Sequence, residues 1–503
     1  MHAGLLPNGR VLFLDKVETF TKVKLANGRF AYSAEYDPAT NQVVGLYYET
    51  NAFCCGGTFL ADGRLVSLGG NAPLVDIDPT VGDGFDAVRY LSRANPGEDG
   101  QGWNEPGNKL ASKRWYASAQ TMPDGRVFVA SGSLNGLDPT VLANNNPTYE
   151  ILDPLGVSNG ENTALDLLVR AQPYYMYPFI HLLRDGTLFI FASKSAQLFN
   201  LGGNNVVKEL PDLPGLFRTY PNTGGSVLLP LSSANNWTPD IIICGGGSYQ
   251  DITSPTDPTC GRISPLADNP LWEIDSMPEG RGMVEGTLLP DGTVIWLNGC
   301  GQGAQGFGLA RNPTLDALIY NPDLPKGQRW STGASSTIPR LYHSVALLLL
   351  DGSLLISGSN PVEQPILTPV PNQTPSEDFV TEFRVEIYTP PYLQNNPTRP
   401  TDIELSTKDL RPGITFSITF RRATPTQNIK VALYHGGFVT HSVHMGHRMA
   451  FLDVGEVRQR EDGSTEISVT MVPNNNIAPP GPYVVYLVTD GTPGIGQFVR
   501  VAT

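Results

Sequence analysis

Residues 56–70 read GGTFLADGRLVSLGG: an apolar run, the pair Asp62-Gly63, a second apolar run and two closing glycines. Asp-Gly between apolar runs marks a tight β-hairpin, because such a turn needs a positive φ. The pattern recurs along the first 360 residues. Copies lie at Ala3 (AGLLPNGRVLFLD), Ala117 (ASAQTMPDGRVFVASGS), Pro178 (PFIHLLRDGTLFIFAS), Val284 (VEGTLLPDGTVIWLNG) and Ser344 (SVALLLLDGSLLISGS). A further copy at Thr223 (TGGSVLLP, then DIIICGGG) lacks the turn and carries a polar loop, Leu231 to Asp240, in its place.

The turns fall at Asn8, Asp62, Asp124, Asp185, Asp291 and Asp351, so that successive gaps are 54, 62, 61, 106 and 60 residues. The gap of 106 spans the degenerate copy. Hairpins repeating every 50 residues or so are the mark of kelch-type propeller blades, and seven copies predict seven blades around a central channel. A β-sandwich with coincidental hairpins is the competing reading. After Thr389-Pro390-Pro391-Tyr392-Leu393 the pattern changes to short alternating strands (ITFSITF, IKVALYH, RMAFLDV, EISVTMV, YVVYLV, QFVRV). These predict an immunoglobulin-like β-sandwich over 399–503, behind a propeller over 1–398.

Composition agrees with an all-β chain dense in turns: 53 Gly and 43 Pro among 503 residues, and 16% charged residues. The formal charge of −14 argues against nucleic acid or an anionic membrane as partner. No apolar run is long enough to span a bilayer. The chain opens without a signal peptide, directly in a strand-like repeat, so an upstream segment is expected. Sequons at Asn236 and Asn372 fit a secreted, extracellular protein. Of the five cysteines, Cys244 ends a strand and Cys260 follows the polar loop SPTDPT, which predicts a disulfide between them. Cys300 is expected to be free.

Blades are equivalent, so residues at one phase of the repeat occupy one height around the channel. Eight residues before the turn aspartate stand Cys54, Tyr116 and His343, with Tyr177 and Met283 at the same phase in two other blades. A thiol, phenols and an imidazole at one phase are not what core packing selects. Taken singly, each is more often a packed core residue. Together they predict a functional ring at one mouth of the channel. Four of the seven histidines, His435, His441, His444 and His447, cluster in LYHGGFVTHSVHMGHR. Imidazoles with phenolate, and no clustered carboxylates, suit copper better than calcium or magnesium. No zinc-protease, Walker or dinucleotide-binding fingerprint is present.

Four segments resemble the galactose oxidase and glyoxal oxidase family of copper radical enzymes: Phe53-Cys54 before Gly-Gly, Arg114-Trp115-Tyr116-Ala117-Ser118, Tyr342-His343-Ser344, and Thr440-His441-Ser442-Val443. The resemblance runs from the first repeat to Ala478-Pro479-Pro480-Gly481. It implies one copper ion held by Tyr116, Tyr342, His343 and His441. Cys54 and Tyr116 would be joined by a thioether that stores one oxidising equivalent as a tyrosyl radical, and Tyr342 would be the general base. Tyr342 and His343 are adjacent, and a regular strand would aim them at opposite faces. Both reach one metal only if the chain is irregular there.

Two departures point to substrate. Galactose oxidase carries a tryptophan over its cross-linked tyrosine, where Gly132-Ser133 is here followed by Leu134; the carbohydrate-binding domain before the propeller is also missing. Cys55 beside Cys54 is a competitor for the cross-link. The expectation is oxidation of small aldehydes (glyoxal, methylglyoxal, as hydrates) to carboxylic acids, with dioxygen reduced to hydrogen peroxide. The alternatives are an oxidase of primary alcohols, with Tyr177, Met283 and Leu134 as pocket residues, and a non-catalytic kelch binding module. A monomer is expected, with extracellular peroxidases as users of the peroxide.

Overall fold

The computed structural model describes residues 1–136, 138–368, 380–424 and 426–503. Among them the one α-helix is the short Asp166–Arg170. The seven hairpins are the inner two strands of seven blades. Their innermost strands are His2–Leu5, Gly56–Phe59, Ser118–Thr121, Phe179–Leu182, Gly225–Leu228, Glu285–Leu288 and Val345–Leu348. Each pairs antiparallel with the next strand of its own blade, as in Gly56↔Leu68 through Phe59↔Leu65. Neighbouring innermost strands pack side by side around the channel, and the first closes on the seventh.

At the turns the positive φ falls on the glycine alone, as at Gly63 (93°) and Gly125 (83°). The aspartate contributes its side chain instead: Asp62 Oδ1 accepts from the Arg64 N–H at 3.0 Å, and Asp124 Oδ1 from Arg126 N–H at 3.1 Å. Such a loop is a turn closed by a left-handed glycine, in which aspartate is chosen for hydrogen bonding rather than for its own backbone freedom.

The degenerate fifth copy has a physical reason. Its long loop closes the hairpin without a tight glycine turn and docks on the C-terminal unit, where Leu231–Ser232 pairs in parallel with Ala450–Phe451. Asn236 lies exposed within the loop, whereas the sequon at Asn372 falls outside the described residues. The blade is instead fastened by a Cys244–Cys260 disulfide across two paired strands. A cross-link spanning 16 residues stabilises by roughly 3 kcal/mol through the entropy it removes from the unfolded chain. Cys54, Cys55 and Cys300 are free of disulfides and buried.

Buried arginines brace the blades near the mouth. Arg114 donates to Glu150 Oε1 (2.6 Å) and to the Ser131 and Thr148 carbonyls (2.9 and 3.0 Å). Arg340 donates to Glu386 Oε2 (2.7 Å) and to the Gly358 and Arg384 carbonyls. A buried guanidinium is tolerated only when its donors are met in this way.

The C-terminal unit is a β-sandwich built from strands that include Thr415–Arg421, Ile429–His435, Arg448–Gln459, Thr465–Thr470 and Gly481–Thr489. Between the second and third of these the chain leaves as a hairpin, Phe438–Thr440 and Val443–Met445. This finger enters the propeller and pairs with the innermost strand of the first blade at Ala3↔Val439.

Candidate metal centre

Cys54, Tyr116, Tyr177, Met283 and His343 each stand two residues before an innermost strand, and all five have left-handed backbone, with φ of 53°, 69°, 47°, 58° and 66°. An L-residue there costs on the order of 1–2 kcal/mol. Bonds between blades hold four of these kinks: Tyr116 N–H donates to Cys54 O (2.8 Å), Tyr177 N–H to Tyr116 O (3.1 Å), and Met283 N–H to Thr223 O (2.7 Å). The kink at His343 is the irregularity that the Tyr342-His343 pair requires. It turns both rings the same way, so that they stack with centroids 3.7 Å apart and planes 23° from parallel.

His441 arrives from the other unit. It forms the two-residue turn of the finger with Ser442, at φ of 51° and 63°. Two successive positive φ values define the hairpin turn that Asn-Gly normally fills. His-Ser there is strained, and it places an imidazole at the finger's tip.

The side chains converge. The donor atoms of Cys54, His343 and His441 all lie within 4.8 Å of one another. His441 Nε2 is 3.2 Å from Tyr342 Oη and 3.5 Å from Cys54 Sγ. The Tyr116 ring stands 5.5 Å from that of His441, and its hydroxyl meets the Cys54 thiol. The five residues are 0–2% exposed.

Each imidazole is oriented from behind. His343 Nδ1 donates to Asn360 O at 2.8 Å, and His441 Nδ1 meets Thr440 Oγ1 at 2.7 Å. Both Nε2 atoms therefore face the centre, where His343 Nε2 is buried with no hydrogen-bond partner. Burial drives both histidines well below the usual imidazole pKa and keeps them neutral. It pushes the Tyr116 and Tyr342 phenols, and the Cys54 thiol, far up. Neutral imidazoles aimed at one point, beside phenols that ionise only next to a cation, fit a transition-metal ion. The orphaned His343 Nε2 is what such an ion would fill.

The remaining expected residues take different places. Tyr177 packs its ring 4.9 Å from His441, but its hydroxyl is bound to Cys55 O at 3.0 Å, so it forms a wall behind the centre. Met283 is buried in the same cluster, while the half-buried Leu134 is not among the residues packed on it. Cys55 points away from Tyr116, toward His2 Nε2 (3.5 Å) and Ser67 Oγ (3.2 Å), which leaves Cys54 as the thiol beside the phenol.

Tyr220 was not visible in the repeat pattern. It stacks on Tyr116 with centroids 4.4 Å apart and planes at 31°, and its hydroxyl donates to Tyr116 Oη at 3.3 Å. An aromatic platform therefore covers Tyr116 after all, supplied from the fifth blade rather than from the position of Leu134. Trp115, centroid 5.0 Å from Tyr116, adds a second face. Phe53 and Phe307 stack on each other (6.3 Å, 12°), and Phe307 also sits 5.9 Å from Tyr342. The only sequence signal for Trp115 and Phe53 was adjacency to Tyr116 and Cys54.

Comparison with known proteins accounts for this arrangement. The family profile described as Glyoxal oxidase N-terminus matches residues 1–392, and that described as Galactose oxidase-like, Early set domain matches residues 399–501. The class they define is that of the copper radical oxidases. Within it, the chain belongs to the glyoxal oxidase family. It is 33% identical to Aldehyde oxidase GLOX of Vitis pseudoreticulata over 99% of this chain and 90% of that protein. Identity to Aldehyde oxidase GLOX1 of Arabidopsis thaliana is 30%, over 100% of this chain and 82% of that one. In fold it is similar to a fungal alcohol oxidase of the AA5 family solved in complex with copper, with a TM-score of 0.74 at 18% identity, covering 100% of this chain and 97% of that one.

Proposed function

We propose that this chain oxidises small aldehydes, as their hydrates, to carboxylic acids at a copper ion held by Tyr116, Tyr342, His343 and His441. The observation that carries the reading is the convergence of buried imidazole, phenol and thiol groups on one point, with His343 Nε2 unpartnered. Copper supplies a one-electron couple and the place where dioxygen is reduced to hydrogen peroxide. The hydrate gives up two electrons and two protons to become the acid, and dioxygen takes both to become peroxide. Tyr342 accepts the hydroxyl proton of the hydrate. Tyr116, linked to Cys54 through sulfur, holds the second oxidising equivalent and takes the hydrogen from carbon. Tyr220 covers that ring and donates to its oxygen.

The packing of Trp115 and Tyr220 on Tyr116, and of Phe307, stacked on Phe53, against Tyr342, supports a small substrate. A sugar pressed against these rings would bury hydroxyls without partners, at roughly 1–3 kcal/mol each. Glyoxal or methylglyoxal loses nothing of that kind. Side-by-side kinetics on fully copper-loaded, oxidised enzyme should favour methylglyoxal over galactose by at least about tenfold in kcat/KM, close to 1.4 kcal/mol. A win for benzyl alcohol or galactose would move the assignment to a primary-alcohol oxidase.

Two checks address the cofactor. Copper-loaded, oxygen-exposed protein should yield a peptide containing Cys54 and Tyr116 that reductants do not separate. Recovery of Cys54 as an alkylatable thiol from fully active enzyme would show that no thioether is used. Tyr220→Phe keeps the ring and loses one hydrogen bond, so stability should fall by no more than about 1.5 kcal/mol. The absorption of the oxidised tyrosine should nonetheless shift, and an unchanged spectrum would remove Tyr220 from the reading.

The same proposal includes a division into a propeller of residues 1–398 and a sandwich of residues 399–503, secretion, and action as a monomer whose peroxide serves extracellular peroxidases. The Cys244–Cys260 disulfide and the exposed sequon at Asn236 support an oxidising, extracellular setting. Among the described residues no helix is long and apolar enough to cross a membrane.

A further inference from the structure

Behind His343 lies a buried polar network that no step above uses. Asn360, 5% exposed, has all four of its polar groups engaged. Its N–H donates to Tyr342 O (3.1 Å), and its carbonyl accepts from His343 Nδ1 (2.8 Å). Its side-chain Oδ1 accepts from Thr381 Oγ1 (3.0 Å), and its Nδ2 donates to Glu18 Oε1. Glu18 is in turn paired with Lys16 Nζ at 3.0 Å, and Lys16 donates to the Glu363 carbonyl. The Lys16 and Glu18 side chains are 2% and 7% exposed. Lys16 and Glu18 follow the second strand of the first blade, while Asn360, Glu363 and Thr381 belong to the seventh. The network therefore crosses the seam at which the ring of blades closes.

A buried ion pair is poor value as a stabiliser, since desolvation offsets most of its attraction. It does fix one geometry. Here that geometry ends on the backbone atoms that hold Tyr342 and on the ring nitrogen that sets the tautomer of His343. Partners behind a ligating imidazole commonly alter metal affinity by about 10–100-fold.

We propose that Asn360, clamped by Glu18 and Lys16, is the positioning residue of the Tyr342-His343 pair, so that copper binding and closure of the first blade on the seventh reinforce each other. The inference rests on the copper reading. Coupling of this kind is reciprocal: whatever the seam gives the metal, the metal gives the seam.

The test is a copper titration by chelator competition, with Cu(II) electron paramagnetic resonance, on the full chain. Asn360→Ala and Glu18→Ala should weaken Cu(II) binding by about 10–100-fold and change the copper hyperfine pattern. Glu18→Gln, which keeps a carbonyl for Asn360 Nδ2, should lie nearer the unsubstituted protein. Hydrogen exchange on the unsubstituted protein gives a readout free of any folding defect: copper should slow exchange at 15–18 as well as at 342–343 and 358–360. Unchanged affinity and spectrum in both alanine variants, or protection confined to 342–343, would overturn the proposal while leaving the copper reading intact. Failure of the unsubstituted protein to bind copper would overturn that reading itself.

Discussion

Tyr342→Phe is expected to bind copper and to turn over ~10²–10⁴-fold more slowly, the usual contribution of a general base. The substitution removes one oxygen and keeps the ring, so the 3.7 Å stack on His343 survives and the shape of the centre with it. What is lost is the phenol oxygen 3.2 Å from His441 Nε2, the base adjacent to the metal in the proposed ligand set. Burial, with the neighbouring Tyr220 and Cys54, holds that phenol far above its ordinary pKa. It becomes a useful base only beside a cation, which makes its activity a direct consequence of metal binding. Copper content and kcat should be measured on the same preparation. Near-normal kcat at full loading would place the proton elsewhere.

His441→Ala should act one step earlier, on the metal itself. Residues that merely orient a ligand change affinity by about 10–100-fold, so deletion of a ligand should cost more than ~100-fold in Cu(II) binding. The finger should stay in place, because Ala3↔Val439 and its own Phe438↔Met445 and Thr440↔Val443 pairs do not use the imidazole. Its buried His444–Glu285 contact at 2.8 Å is a further anchor. Loss of copper with an unchanged apo melting temperature is the expected pair of results. Copper affinity equal to that of the unsubstituted protein would remove His441 from the ligand set.

The sequence shows most of the fold because each blade repeats one local instruction, the hairpin with its glycine turn. It shows five ring residues for the same reason: a fixed count back from Asp62, Asp124, Asp185, Asp291 and Asp351 lands on one height of the channel. Tyr220 escapes that count because it stands five residues before its innermost strand, off the phase of the ring, where the fifth blade has Thr223. The left-handed φ at Cys54, Tyr116 and Tyr177 is equally silent, because it is held by bonds between blades rather than by the residue's own preference. Likewise, nothing local announces that Asn360 meets Glu18 across 342 residues. The position of His441 on a loop between two strands was legible; that the loop is a finger paired with the first blade was not.

That finger also sets an order of events in the life of the chain. A ribosome delivers Cys54, Tyr116, Tyr342 and His343 before it reaches His441, so a growing chain carries four of the five groups with the last imidazole still unmade. The propeller has no complete centre to offer until the C-terminal unit has formed and lowered its hairpin into the channel. On the proposed ligand set, the strong oxidant is therefore armed last, on finished molecules. A chain cut short before residue 441 would be an inert propeller instead of a careless source of peroxide.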